Sequence, residues 1–389
     1  MNRDQRLVIV GGGPAGLSAA EAYRESGGRA GVVILAAEDS HPYQRPPLTK
    51  EYLRGEMNRE ELPMRPAEWF EENEVDLQLT TPVESVGTVR RVVRTGSGEL
   101  AYDACVIATG SEPIRLPVPG GDDPEILTMR TVADSNRLQE LVTSGSRLVV
   151  VGSGFIGCEA AASLAIRGAR VTLVSMEAAP QKERLGEKVG GRIRSWLRGY
   201  GVDFRLGVSV ERIDRRSGGF VVDIGDEEIK TDVVLFGTGV KARVGLAETA
   251  GLETRDGGVV CDSSMRTSEP GVFAVGDIAL PFNEAAGRHL RVEHWGDALE
   301  HGRIAGTVIA GGAAAWSMAP GFWSTIGERT LKYWAWGDGW DDLIFDAAGE
   351  SFTVRYGKDG VLVGVLAHGA DDIYEEGREK IEAGDPLRG

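Results

Sequence analysis

Residues 7–38 read LVIVGGGPAGLSAAEAYRESGGRAGVVILAAE, and residues 147–177 read RLVVVGSGFIGCEAAASLAIRGARVTLVSME. Both stretches follow one order: a short apolar run, a glycine-rich turn, a helix-spaced segment, and a second apolar run with Glu38 or Glu177 at its end. Apolar runs without polar alternation are strands buried on both faces, and strands that alternate with helices form parallel sheets. Gly11, Gly13 and Gly16 recur as Gly152, Gly154 and Gly157 at one constant offset. A second echo follows each unit: DACVIATGSEP at 103–113 and TDVVLFGTGVKA at 231–242, each an acid, an apolar strand and a Thr-Gly pair (Thr109-Gly110; Thr238-Gly239). The chain therefore carries an internal duplication, and its fold class is α/β.

A G-x-G-x-x-G turn between strand and helix brings backbone N–H groups and the positive end of a helix dipole up to a pyrophosphate. An acid about 20 residues further on holds ribose hydroxyls. Glu38 fills that place in the first unit. The first loop, Gly11, Gly13, Pro14, Ala15 and Gly16, thus reads as a dinucleotide site. The second loop, Gly152, Gly154, Phe155, Ile156 and Gly157, reads the same way, with a less regular acid. Ser175 stands directly after the strand, Glu177 two residues later, and Lys182 and Arg184 are near enough to meet a 2′-phosphate. NADH and NADPH both remain open at this point, with Glu177 tilting the choice to NADH. Two dinucleotide sites in one chain imply two cofactors that exchange electrons, a tightly held flavin and a passing nicotinamide.

The rest of the chain is read from composition and breaks. The 389 residues exceed one ordinary domain. Residues 83–103 and 206–232 alternate as small antiparallel layers, 293–311 reads as a helix ending at glycine, and after Pro320 a Trp-rich alternating stretch begins, which places a boundary near 318. The net charge of −16 disfavours nucleic acid and anionic membranes as partners. No run of 18 apolar residues is present, and MNRDQRLVIVGGG leads straight into the first strand, so a cytoplasmic protein is expected. Cys105, Cys158 and Cys261 form no close pair, which excludes a disulfide framework and makes them small core residues.

Several further motifs make the chain resemble FAD-dependent pyridine nucleotide oxidoreductases of the ferredoxin-reductase and rubredoxin-reductase type, which include apoptosis-inducing-factor-like proteins. These are PYQRPPLTK at 42–50, ATGSEP at 108–113, VFAVGDIA at 272–279, EHW at 293–295 and GFWS at 321–324. The resemblance implies two Rossmann-like domains of the glutathione-reductase kind plus a C-terminal α+β domain. The FAD domain would be discontinuous, 1–123 and 243–317, the NAD(P)H domain 124–242, and the C-terminal domain 318–389. It implies that the first loop and Glu38 hold FAD, that Arg45 and Lys50 lie along its flavin side, and that Val83 meets the adenine through its backbone. Thr109, Gly110, Arg130, Gly276 and Asp277 would line FAD, with Asp277 also serving as a helix N-cap where GDIA opens a helix. Glu293 and Trp295 would approach the flavin pyrimidine edge, Trp323 its entrance, and Gly239 the nicotinamide side. Glu159 would pair with Lys50, the two acting as the catalytic residues; no metal is implied.

The activity implied is hydride transfer from NAD(P)H to flavin N5, then electrons to an iron-sulfur carrier of ferredoxin or rubredoxin type. Departures temper this. GFWS runs on as Thr-Ile-Gly, Ser175 replaces an acid, and the acidic C-terminal stretch argues against an acidic carrier. A redox-sensing NAD(H)-binding flavoprotein with slow turnover, and a quinone or small-molecule reductase, are the alternative readings. The 38–50 stretch holds no Cys, which argues against peroxide- or CoA-disulfide-reducing chemistry. A monomer or homodimer is expected.

Overall fold

A computed structural model describes residues 5–388. The two duplicated units form two five-stranded sheets, parallel throughout. In the first, the strand order is Val272–Ala274, Ala104–Ile107, Arg6–Val10, Gly31–Leu35 and Val75–Gln78. In the second it is Asp203–Leu206, Arg170–Ser175, Arg147–Val151, Val233–Phe236 and Leu127–Thr128. The central strand of each has four consecutive buried residues, Leu7 to Val10 and Leu148 to Val151, as helix-covered parallel sheets require.

The glycine turns explain themselves by contact. A Cβ on Gly11 (φ +123°) would lie 2.2 Å from the Ala108 carbonyl oxygen, and one on Gly152 (φ +106°) would lie 2.3 Å from the Gly237 oxygen. Each turn is therefore pressed against the neighbouring Thr-Gly strand end, and no side chain fits. The helices that follow, Pro14–Glu25 and Phe155–Ile166, start one residue after Gly13 and Gly154.

The expected antiparallel layers are present as Val83–Gly87, Val92–Thr95 and Gly98–Ala101, and as Arg212–Arg216, Gly219–Asp223 and Glu228–Thr231. The chain crosses between the two parallel sheets twice, and the crossings run side by side: Ser111–Pro113 pairs antiparallel with Val240–Ala242. The helix expected over 293–311 spans Trp295–Ile309 and lies against Pro14–Glu25. A Cβ on Gly302 would meet the Ala15 carbonyl oxygen at 2.2 Å, so this contact is backbone to backbone.

From Gly321 onward five antiparallel strands run in the order Gly321–Ile326, Arg329–Ala335, Val361–His368, Ser351–Lys358 and Asp342–Ala348. The helix Asp371–Ala383 packs on them. One expectation fails. GDIA opens only a single 3-10 turn, Gly276–Ile278, with Val275 at its cap position, and then the strand Ala279–Asn283. Asp277 is inside the turn and caps no helix, because its carboxylate is taken by side chains from two other segments.

Candidate functional site

The first glycine loop floors a cavity of about 640 Å³. Gly11, Gly13, Pro14, Ala15, Glu38, Arg45, Val83, Thr109, Gly110, Arg130, Gly276 and Asp277 all line it. Gly16 does not; it is buried beneath, where a Cβ would strike the Gly11 carbonyl oxygen at 2.2 Å. The cavity wall is a charged lattice that sequence pattern did not show. Arg45 donates to Glu38 Oε1 at 2.7 Å and to the Arg130 carbonyl at 2.7 Å. Tyr43 donates to Glu38 Oε2 at 2.6 Å and accepts from the Val132 N–H at 3.1 Å. Burial opposes ionisation of Glu38, but the Arg45 charge and the Tyr43 hydroxyl win and hold its carboxyl below the usual range. Further along, Ser111 donates to Asp277 Oδ2 at 2.6 Å and Arg130 to the same oxygen at 2.8 Å. Tyr43 and Ser111 were not among the sequence candidates. Neither stands at a spacing or period that marks it apart from Thr49 and Thr109 in the same stretches.

Lys50 and Glu159 pair with each other and are not among the residues that line this cavity. Their Nζ and Oε2 atoms lie 2.8 Å apart, with the whole residues 7% and 3% exposed. Lys50 also donates to the Pro46 carbonyl at 2.9 Å, so two of its three donors are engaged. Each Glu159 oxygen takes two donors. Oε2 accepts from Thr49 Oγ1 at 2.5 Å and from Lys50; Oε1 accepts from Ser324 Oγ at 2.7 Å and the Thr325 N–H at 3.2 Å. A buried ion pair is tolerated when its remaining hydrogen-bonding capacity is largely met; here both carboxylate oxygens and two of the three ammonium donors are engaged. Segments far apart in sequence converge here: the Pro-rich loop, the second glycine-loop helix and the first C-terminal strand.

The second loop is more open. Gly152, Gly154 and Gly157 sit at the turn, where a Cβ on Gly157 would lie 2.1 Å from the Gly152 oxygen. Phe155 packs edge-on against Phe322 at 4.7 Å, and Ile156 is 42% exposed. Gly239 (φ +94°) lies at the sheet end near Ile114. Ser175 is buried and bonded to Ser153 Oγ at 2.7 Å. Glu177 accepts from the Glu183 N–H at 3.1 Å. Lys182 pairs with Glu187 at 3.2 Å, and the Arg184 guanidinium lies 6.0 Å from the Phe155 ring.

Glu293 pairs with Arg291 at 2.6 Å, and burial raises its carboxyl above the usual range in spite of that partner. Trp295 is the first residue of its helix, after His294, whose ring faces Phe322 at 4.7 Å. Trp323 is 45% exposed. Neither tryptophan lines the cavity. All three cysteines are buried, and burial pushes Cys105 and Cys261 up to about 12 and Cys158 higher still. None is a thiolate at neutral pH. Among the described residues no group of His, Cys, Asp and Glu is arranged to hold a metal, and no helix is long and apolar enough to cross a membrane.

A rubredoxin–NAD(+) reductase from Pseudomonas putida is 33% identical over 84% of this chain and 85% of its own. A ferredoxin–NAD(P)(+) reductase from Sphingomonas sp is 33% identical over 97% of this chain and 92% of its own. Among solved structures, a covalent putidaredoxin reductase–putidaredoxin complex superposes with a TM-score of 0.93 at 29% identity, covering 99% of this chain and 94% of the matched chain. The two-sheet α/β architecture is thus shared along the whole length. The pyridine nucleotide-disulphide oxidoreductase family matches residues 5–302. Taken with the cavity and the paired glycine loops, these matches place the chain in that family, as an oxidoreductase that uses FAD and NAD(P)H.

Proposed function

We propose that this protein reduces a small iron-sulfur electron carrier, of ferredoxin or rubredoxin type, with electrons from NADH. The observation that carries the reading is the buried Lys50–Glu159 pair at 2.8 Å, lodged between the Pro-rich loop and the second glycine-loop helix. The relatives matched over 84% and 97% of the chain support the acceptor class, since they are carrier reductases by name. The 640 Å³ cavity, with backbone turns at one end and Arg45, Arg130 and Asp277 along it, fits an extended dinucleotide. We assign it to FAD and the second loop to the nicotinamide, with the domain ranges given above. The chemistry that the flavin supplies when bound is acceptance of a hydride and release of its electrons to an acceptor.

The chain's own residues bind and orient. The Gly11–Gly16 turn receives the pyrophosphate, and Glu38, held by Arg45 and Tyr43, presents its carboxylate to the ribose. Lys50 keeps a fixed positive charge near the reacting end, where it favours the electron-rich form. Glu159 fixes the direction of that charge. Disulfide chemistry, which the family name includes, has no support here because every thiol is buried and protonated. Free buried thiols go with a reducing, cytoplasmic setting. The charge of −16 supports the absence of nucleic-acid and anionic-membrane partners.

The test is anaerobic mixing of the yellow protein with NADH, and separately NADPH, while flavin absorbance is followed. Faster bleaching with NADH, followed by reduction of an added iron-sulfur carrier, is the expected outcome. Slow bleaching with both nucleotides would end the reductase reading and favour a redox sensor. In the same assay Lys50→Ala slows reduction about 100-fold, in the range by which oxyanion-type contacts contribute, with flavin still bound.

A further inference from the structure

The strand Gly321–Ile326 alternates as strands must. Phe322, Ser324 and Ile326 share one face, and Trp323, 45% exposed, lies on the other. The shared face is apolar where it meets the second glycine-loop helix. Phe322 touches Phe155 at 4.7 Å, and Ile326 is fully buried. Between them alternation calls for Val or Ile, yet the residue is Ser324, 1% exposed. A hydroxyl in such a stripe costs stability unless it has a partner. Its partner is Glu159 Oε1 at 2.7 Å, while Lys50 pairs with Oε2. The neighbouring Thr325 N–H reaches the same oxygen at 3.2 Å, a longer and weaker bond.

We propose that Ser324 is a positioning residue through which the C-terminal sheet holds Glu159, and with it Lys50, at the flavin. The inference rests on the role given to the Lys50–Glu159 pair under Proposed function. A carboxylate fixed at one oxygen only rotates about its last bond; donors on both oxygens stop that rotation. Thr49 and Lys50 fix Oε2 from the flavin-side loop, and Ser324 fixes Oε1 from the C-terminal sheet. The C-terminal strands thus contribute to the redox site a constraint on charge direction, besides any docking surface they present.

The experiment uses the full FAD-loaded protein with Ser324→Ala, Ser324→Thr, Glu159→Gln, Lys50→Ala and the Ser324→Ala/Glu159→Gln double variant. Two readouts are taken: the rate of flavin bleaching by NADH, and the flavin midpoint potential by anaerobic spectroscopic titration. Loss of one charge-assisted hydrogen bond predicts that Ser324→Ala slows bleaching about tenfold and moves the potential to a more negative value. Ser324→Thr, which keeps the hydroxyl, restores both. In the Glu159→Gln background Ser324→Ala adds no further change, since the group it orients is no longer charged. Unchanged rate and potential in Ser324→Ala, while Lys50→Ala and Glu159→Gln are slow, overturns the proposal and leaves the pair's role standing. Additive losses in the double variant, or failure of threonine to rescue, also overturn it. Normal rates in Lys50→Ala and Glu159→Gln remove the pair's role itself, and the proposal with it.

Discussion

The two glycine loops are copies in sequence and differ in what closes over them. The first is walled by Arg45, Arg130 and Asp277 into a 640 Å³ cavity, and its acid, Glu38, is clamped on both oxygens. The second carries Ile156 at 42% and Met176 at 77% exposure, and its acid, Glu177, accepts from the Glu183 N–H at 3.1 Å on one oxygen. The turn geometry is nearly the same, with would-be Cβ contacts of 2.2 Å at Gly16 and 2.1 Å at Gly157. On the assignment proposed above, one motif serves a ligand kept and a ligand exchanged, and the structural difference comes from side chains, Arg130 and Asp277 among them, that arrive from elsewhere in the chain. Retention rises with the surface buried around a ligand and with pre-organised charge; exchange needs neither.

The strongest way to break this comparison is to damage the two turns equally. Gly16→Ala forces a methyl onto the Gly11 oxygen, and overpacking of that kind costs about 1–3 kcal/mol. The expected product is a protein that loses most of its flavin on a desalting column. Gly157→Ala, with the same clash, stays yellow but needs at least about tenfold more NADH for half-maximal bleaching, the equivalent of 1.4 kcal/mol. Flavin loss from Gly157→Ala with retention in Gly16→Ala would reverse the assignment.

A second test bears on the helix that backs the first loop. His301 is fully buried on that helix, its ring edge-on to Trp316 at 4.7 Å, and neither ring nitrogen has a hydrogen-bond partner among the described residues. Burial, against the pull of Asp297 and Glu300, pushes its pKa below the usual value. The folded state thus binds the proton less readily than the unfolded chain. Its contribution to stability is full above the unfolded pKa near 6.5 and falls as pH drops below it, by up to about 1.4 kcal/mol per unit. His301→Phe should flatten the fall of denaturant midpoint between pH 6.5 and 5. An identical slope in both proteins would place the acid sensitivity elsewhere.

The mildest test concerns the second loop. Glu177→Gln removes a half-buried acid from its rim, and a charge still open to solvent is worth about 1 kcal/mol. The ratio of NADPH to NADH efficiency should rise about threefold to fivefold. No change in that ratio would leave Glu177 as a turn-stabilising residue only.

Much of the fold was legible because its signals are local. Buried parallel strands announce themselves as apolar runs, and glycine turns as glycines, because the steric reason for each residue lies within a few positions of it. Arg45, Lys50 and Glu159 were reached through the resemblance carried by the PYQRPPLTK motif and its companions, not through a local pattern. The GDIA turn was misread because a short acid after glycine looks the same whether it caps a helix or receives Ser111 and Arg130. Thr49, Tyr43, Ser111 and Ser324 were silent for a related reason. A hydroxyl acquires its meaning from its partner, and these partners lie 110, 5, 166 and 165 residues away.

The sequence by itself thus determined two dinucleotide-binding units, their order along the chain and the residue types that face them, since strand burial and turn sterics are written in neighbouring residues. Only the tertiary structure decided which unit is enclosed, how Glu38 is clamped, and that the C-terminal sheet reaches Glu159. The enclosure and the reach to Glu159 depend on hydrogen bonds between distant segments, and the Glu38 clamp, though made by Tyr43 and Arg45 a few residues on, depends on the path of the loop between them, which no local pattern records.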